Sequence, residues 1–101
     1  MMDKLQAISD RLEAVVTQME DPATYADPDL LRRLTREQKE LEPVVEAYRA
    51  YGQAEADLAS AQELLNDPEM KEMAQEEIQR ARADMERLRE ELKLLLLPRD
   101  P

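Results

Sequence analysis

At 101 residues, with 43% apolar and 38% charged residues, one glycine and 3% aromatics, the chain has the composition of long helices with a thin aliphatic core, and sheets are excluded for want of turn glycines. The absence of cysteine excludes a disulfide framework and thiolate chemistry and allows a reducing, cytoplasmic setting. A net charge of -10 repels phosphate backbones and anionic lipid at long range, so DNA and membranes are not expected as partners; a protein is, or nucleic acid touched through a local basic patch.

The first helix is expected from Asp3 to about Met19, where Leu5, Ile8, Leu12, Val15 and Met19 alternate steps of three and four residues. Glu20, Asp21 and Pro22 end it, and the stretch PATYADP forms a connection. The acids within this N-terminal helix argue against a secretory signal, and the longest apolar run, Leu94 to Leu97, is far below the roughly 18 residues of a membrane span. Asp27 and Asp67, each before a proline, read as helix N-caps: the carboxylate accepts an orphan N–H, and proline has none to leave unpaired.

A long second helix follows over 28–65, with Leu30, Leu34, Leu41, Val44, Tyr48, Tyr51, Leu58, Ala61 and Leu65 at helical spacing. Pro43 interrupts it. An interior proline costs about 3 kcal/mol or more, so the helix is expected to be kinked or broken there. The third helix, over 67–96, has two interleaved seven-residue repeats: Ile78, Met85 and Leu92, and Ala74, Ala81, Leu88 and Leu95. Its other faces carry Glu76, Arg80, Asp84, Glu86, Arg87 and Glu91, read as a solvated surface laced by i,i+4 pairs. Each outer helix is too short to cover the middle one alone. The expected fold is therefore all-α, an elongated antiparallel three-helix bundle with coiled-coil-like packing over 1–97. The exposed heptad stripe of the third helix is also expected to allow self-association of the isolated chain.

Catalytic options are few. Histidine and cysteine are absent, serine occurs at 9 and 60, and the single glycine, Gly52, excludes Gly-rich phosphate loops and nucleophile elbows. No catalytic residue, cofactor or metal is expected, and Glu76, Glu77, Asp84, Glu90 and Glu91 read as a solvated acidic face. Positive charge concentrates at Arg32, Arg33, Arg36 and Lys39. One reading is a solvated face balanced by Glu37 and Glu40; the other is a contact for phosphate or an acidic partner, because Arg32, Arg36 and Lys39 share a face at i, i+4 and i+7. Tyr48 and Tyr51 lie on the apolar stripe and read as core, whereas Tyr25, in the connection, is better placed for a partner. Met70 and Met73 read either as gap fillers or as an adaptable surface at the tip of the bundle. Taken by themselves, the residues describe a soluble, acidic helical interaction module.

Two stretches carry a resemblance. LLNDPEMKEMAQEEI, Leu64 to Ile78, and ELKLLLLPRDP, Glu91 to Pro101, resemble the N-terminal domain of bacterial class I peptide chain release factors, of the type that reads UAA and UAG. LRRLTREQKELEPVVEAYRAY, Leu31 to Tyr51, is similar to the long second helix of that family. The resemblance implies a non-catalytic domain of a factor that directs peptidyl-tRNA hydrolysis on the ribosome. The Gly-Gly-Gln loop and the codon-reading tripeptide of that family lie in other domains; Gly52, with Tyr51 before it and Gln53 after it, is not that loop. The implied partners are the ribosome, through its stalk-base protein and adjacent ribosomal RNA, and the class II release factor GTPase, in the cytoplasm. Arg32, Arg33, Arg36 and Tyr25 are the candidate contact residues. The alternative is a stand-alone acidic coiled-coil adaptor or chaperone-like protein, for which the heptads alone suffice. A gene continuing in frame into a Gly-Gly-Gln domain separates the two.

The terminal LLLLPRDP is expected to be a domain boundary. Leu95 completes the seam, Leu94, Leu96 and Leu97 turn toward other sides, and residues 98–101 begin a linker to absent domains.

Overall fold

The computed structural model describes residues 2–98, and among them are four α-helices and no strand: α1 (Met2–Met19), α2 (Pro22–Tyr25), α3 (Pro28–Leu64) and α4 (Lys71–Leu95). The fold is all-α, as expected. Three long helices stand close to their anticipated places, and α2 is a single turn where the sequence reading expects a connection. Asp21 explains it: its Oδ1 accepts the Ala23 N–H at 2.9 Å with Pro22 in the first turn, so the residue that ends α1 also caps a new helix. Thr24, 2% exposed, donates its hydroxyl to the Gln18 carbonyl at 2.6 Å and fastens α2 to the end of α1.

Asp27 is the N-cap of α3, its Oδ1 accepting the Leu30 N–H at 3.1 Å and its carbonyl the Leu31 N–H at 3.0 Å. The helix does not break at Pro43; it continues to Leu64. Val44 and Val45, immediately after the proline, are buried. Burying two valines stabilises by roughly 3 to 6 kcal/mol, enough to offset the ~3 kcal/mol that an interior proline costs.

Asp67 does not cap α4. Its Oδ1 accepts the Glu69 N–H at 3.0 Å and its carbonyl the Met70 N–H at 3.0 Å, which closes a turn and delays the helix to Lys71. The N-cap position falls to Met70, with no side-chain bond. At the other end α4 stops at Leu95, one residue before the expected end, and the Leu96 N–H closes on the Leu92 carbonyl at 3.0 Å. Leu94 and Leu97 are exposed, as their positions off the seam imply, whereas Leu96 is half-buried. Pro98 is exposed; residues 99–101 of the expected linker lie outside the described residues.

The chain forms two compact units, the first ending at Glu46 and the second beginning at Ala47. In the first, α1 runs antiparallel to the opening half of α3, and Leu5, Val15, Leu34, Val44 and Val45 form the core. Ile8, Leu12 and Met19 complete the α1 seam as half-buried residues. In the second, the rest of α3 packs antiparallel to α4. Ala47, Ala54 and Ala61 recur every seven residues on α3 around Tyr51, and Ala74, Ile78, Ala81, Leu88 and Leu92 are buried on α4. The expected α4 seam is present, with Met85 and Leu95 half-buried.

The outer charges of α4 pair as expected at i,i+4 in one case and at i,i+3 in the others. Arg80–Glu77 at 3.1 Å, Arg87–Asp84 at 3.6 Å, Arg89–Glu86 at 3.6 Å and Lys93–Glu90 at 3.1 Å are all i,i+3, while Arg87–Glu91 at 3.8 Å is i,i+4. Both separations bring side chains together on a helix, and each exposed pair contributes little. Among the described residues no helix is long and apolar enough to cross a membrane.

Candidate interaction site

The site is built on the first turns of α3. With its N-terminus capped by Asp27, α3 presents residues 31, 35 and 39 in one row and 32 and 36 in the next, since residues four apart sit one above another on a helix. Leu31, Arg32, Thr35, Arg36 and Lys39 line an open groove of about 400 Å³. Thr35 turns its hydroxyl back onto the Leu31 carbonyl at 2.8 Å, and the lining combines the aliphatic Leu31 with three cations.

The sequence reading sets Glu37 against this cluster as a counter-charge. The structure assigns it elsewhere: Arg11 of α1 donates through Nε to Oε1 at 2.6 Å and through its second amino group to Oε2 at 2.9 Å, a bidentate fork between α1 and α3. The hydrogen bond from Arg11 holds the Glu37 carboxyl below its ordinary range, and the same bond raises Arg11 above its own. Glu37 is therefore committed to the fold. Arg32 pairs with Asp29 one turn earlier, both side chains being largely in solvent. Among the described residues Arg33, Arg36 and Lys39 enter no ion pair.

Three of the four cations singled out from sequence thus share one groove, and Arg33 is not among its lining residues. Tyr25 ends α2 with 66% of its surface exposed and does not line the groove either. Leu31 and Thr35 belong to the site and had no chemical signal in the sequence beyond their row on the helix. Arg11–Glu37 was legible in principle: α1 and α3 are joined by a short connection, so in antiparallel register residue 11 falls opposite residue 37.

Tyr51 is core, as expected, and Tyr48 is half-buried. Two smaller open grooves lie on the second unit. One is lined by Leu58, Arg82, Met85, Glu86 and Arg89, the other by Asp57, Ser60, Ala61, Leu64 and Glu77. No group of three or more His, Cys, Asp or Glu among the described residues is arranged to hold a metal ion.

Against known protein families, residues 8–101 match the PCRF domain.

Proposed function

Because the chain belongs to the PCRF domain family of the class I peptide chain release factors, with a role in translation termination, we propose that it is the helical, non-catalytic domain by which such a factor docks on the ribosome. The docking surface is the basic groove of α3, with Arg32, Arg36 and Lys39 as its contacts and Arg33 and Tyr25 flanking. The stalk base of the large ribosomal subunit, its protein and adjacent ribosomal RNA, is the partner. The recycling class II release factor GTPase is the second partner, the cytoplasm the compartment, and the codons of the parent factor are UAA and UAG.

One observation carries this reading. The fork from Arg11 withdraws Glu37 from the basic cluster, so a chain of net charge -10 keeps a patch in which Arg36 and Lys39 enter no ion pair among the described residues and Arg32 meets only the exposed Asp29. At physiological ionic strength charges beyond about 8 Å are screened, so the acidic remainder does not prevent a local contact. Placing that contact on a long, N-capped helix holds the cations in fixed relative positions, which reduces the side-chain ordering lost on binding.

The test is stop-codon-dependent peptide release by a release factor with and without residues 1–97. Docking predicts that removal raises the factor concentration needed for half-maximal rate while the rate at saturation stays near that of the intact factor. Loss of the saturating rate with unchanged half-saturation contradicts a docking role.

A further inference from the structure

The second unit has a groove of its own near the turn that joins α3 to α4, about 260 Å³ in volume and lined by Asp57, Ser60, Ala61, Leu64 and Glu77. Leu64 is 36% exposed, and Met73, one helical turn before Glu77 on the same edge of α4, is 46% exposed. Large apolar side chains left in water beside a groove are a feature of surfaces that receive a partner, and methionine adapts its shape to what it meets. The surrounding charge is one-sided: from Glu55 to Glu77 the sequence contains eight acids and one base, Lys71.

The two acids that line the groove are exchangeable. Asp57 accepts a hydrogen bond from the Gln53 amide at 2.9 Å, and Glu77 pairs with Arg80 at 3.1 Å across side chains 41% and 69% exposed. A surface pair of that kind contributes little, so an incoming cation can replace Arg80.

We propose that this groove docks a basic amphipathic helical segment of another protein. Its apolar side chains pack on Leu64 and Met73, and its lysine or arginine heads meet Asp57 and Glu77. The mode is a helix laid in a groove with an apolar edge at Leu64 and acids beside it, with charge selecting the partner. A second copy of this chain fits poorly, because each copy carries a net charge of -10. RNA is repelled by the same acids. The surface shares no residue with the basic groove of α3.

Nuclear magnetic resonance titration of the 101-residue chain with an amphipathic leucine–lysine peptide, and with its leucine–glutamate counterpart, tests the proposal. The lysine peptide is expected to shift the amides of residues 57–77, and the glutamate peptide to leave them in place. Asp57→Asn with Glu77→Gln should weaken the lysine peptide by about tenfold, and Leu64→Gln with Met73→Gln comparably, all at exposed or half-buried positions. Shifts spread over the outer face of α4, affinity unchanged in both double variants, or the same shifts on concentrating the chain alone would each overturn it. Arg32→Glu with Arg36→Glu should leave the lysine peptide bound, so failure here is separable from failure of the ribosome-docking reading.

Discussion

The hydroxyl of Tyr51 accepts a hydrogen bond from the guanidinium of Arg89 at 2.9 Å, and the Arg89 carbon lies 5.8 Å from the centre of the same ring. This residue pair ties α3 to α4 in the second unit, with the ring buried and the guanidinium at the surface. The bond that Arg89 donates to the tyrosine hydroxyl is also what raises Arg89 above the ordinary arginine range. Tyr51→Ala is expected to lower stability by about 3 to 5 kcal/mol, because it removes the largest ring of an otherwise alanine-rich stretch. Tyr51→Phe keeps the ring and should lower stability much less, read in urea unfolding. Equal losses in the two variants would mean that the hydroxyl, not the ring, holds the helices.

Gly52, the neighbour of Tyr51, sits in the interior of α3, exposed, with no positive φ, and a Cβ built there meets nothing within 4 Å. Neither conformation nor packing requires glycine. Gly52→Ala is expected to raise stability by about 0.5 to 1 kcal/mol, through the smaller backbone entropy of the unfolded chain. A thermal melt showing no gain would mean that the added methyl is not accommodated in the helix as the open space at this position implies.

The α4 seam is open to the same kind of test at two aliphatic positions. Leu88 and Leu92 are 4% and 1% exposed, and Leu88→Ala or Leu92→Ala should each cost about 2 to 5 kcal/mol, as the lost burial adds to the cavity left behind. Chemical denaturation of the two variants checks this; a loss below about 0.5 kcal/mol would mean that the seam is not the packed face.

The seven-residue repeats of α4 and the apolar spacing of α1 made most of this fold legible, because burial of one helical face dominates long helices and leaves a period in the sequence. The misses lie where one residue had two physically possible uses. Asp67 before Pro68 can cap a helix or close a turn, and the Glu69 N–H captured its carboxylate. Asp21 before Pro22 can stop a helix or start one, and it does both. At Pro43 the sequence allowed a kink or a break, and the helix runs through unbroken with Val44 and Val45 buried beside the proline. The basic groove was legible from the i, i+4, i+7 row, whereas its loss of Glu37 becomes legible only when α1 and α3 are set in antiparallel register, because Arg11 is distant in sequence.

The Arg11–Glu37 fork predicts a pH dependence. Glu37 titrates below its ordinary range in the folded chain, so its contribution to stability is present above the unfolded carboxylate value, about 4.3, and is lost as pH falls through the lowered folded value. Arg11, raised by the same bond, stays protonated throughout this window and adds no slope. Thermal melts between about pH 6 and pH 3 should show a smaller acid-induced loss for Glu37→Gln than for the unaltered chain. Parallel curves would mean that the fork does not stabilise the fold.

The proposed docking of a release factor through α3 rests on Arg32, Arg36 and Lys39, which keep no bond to Glu37 once Arg11 takes it. Its most direct measurement is peptide release by a release factor carrying Arg32→Glu, Arg36→Glu and Lys39→Glu, followed against factor concentration, with circular dichroism showing the helices retained. The concentration for half-maximal release should rise by about tenfold or more, with the saturating rate preserved and a smaller dependence on salt. A folded variant whose release curve overlays that of the unaltered factor would contradict the account.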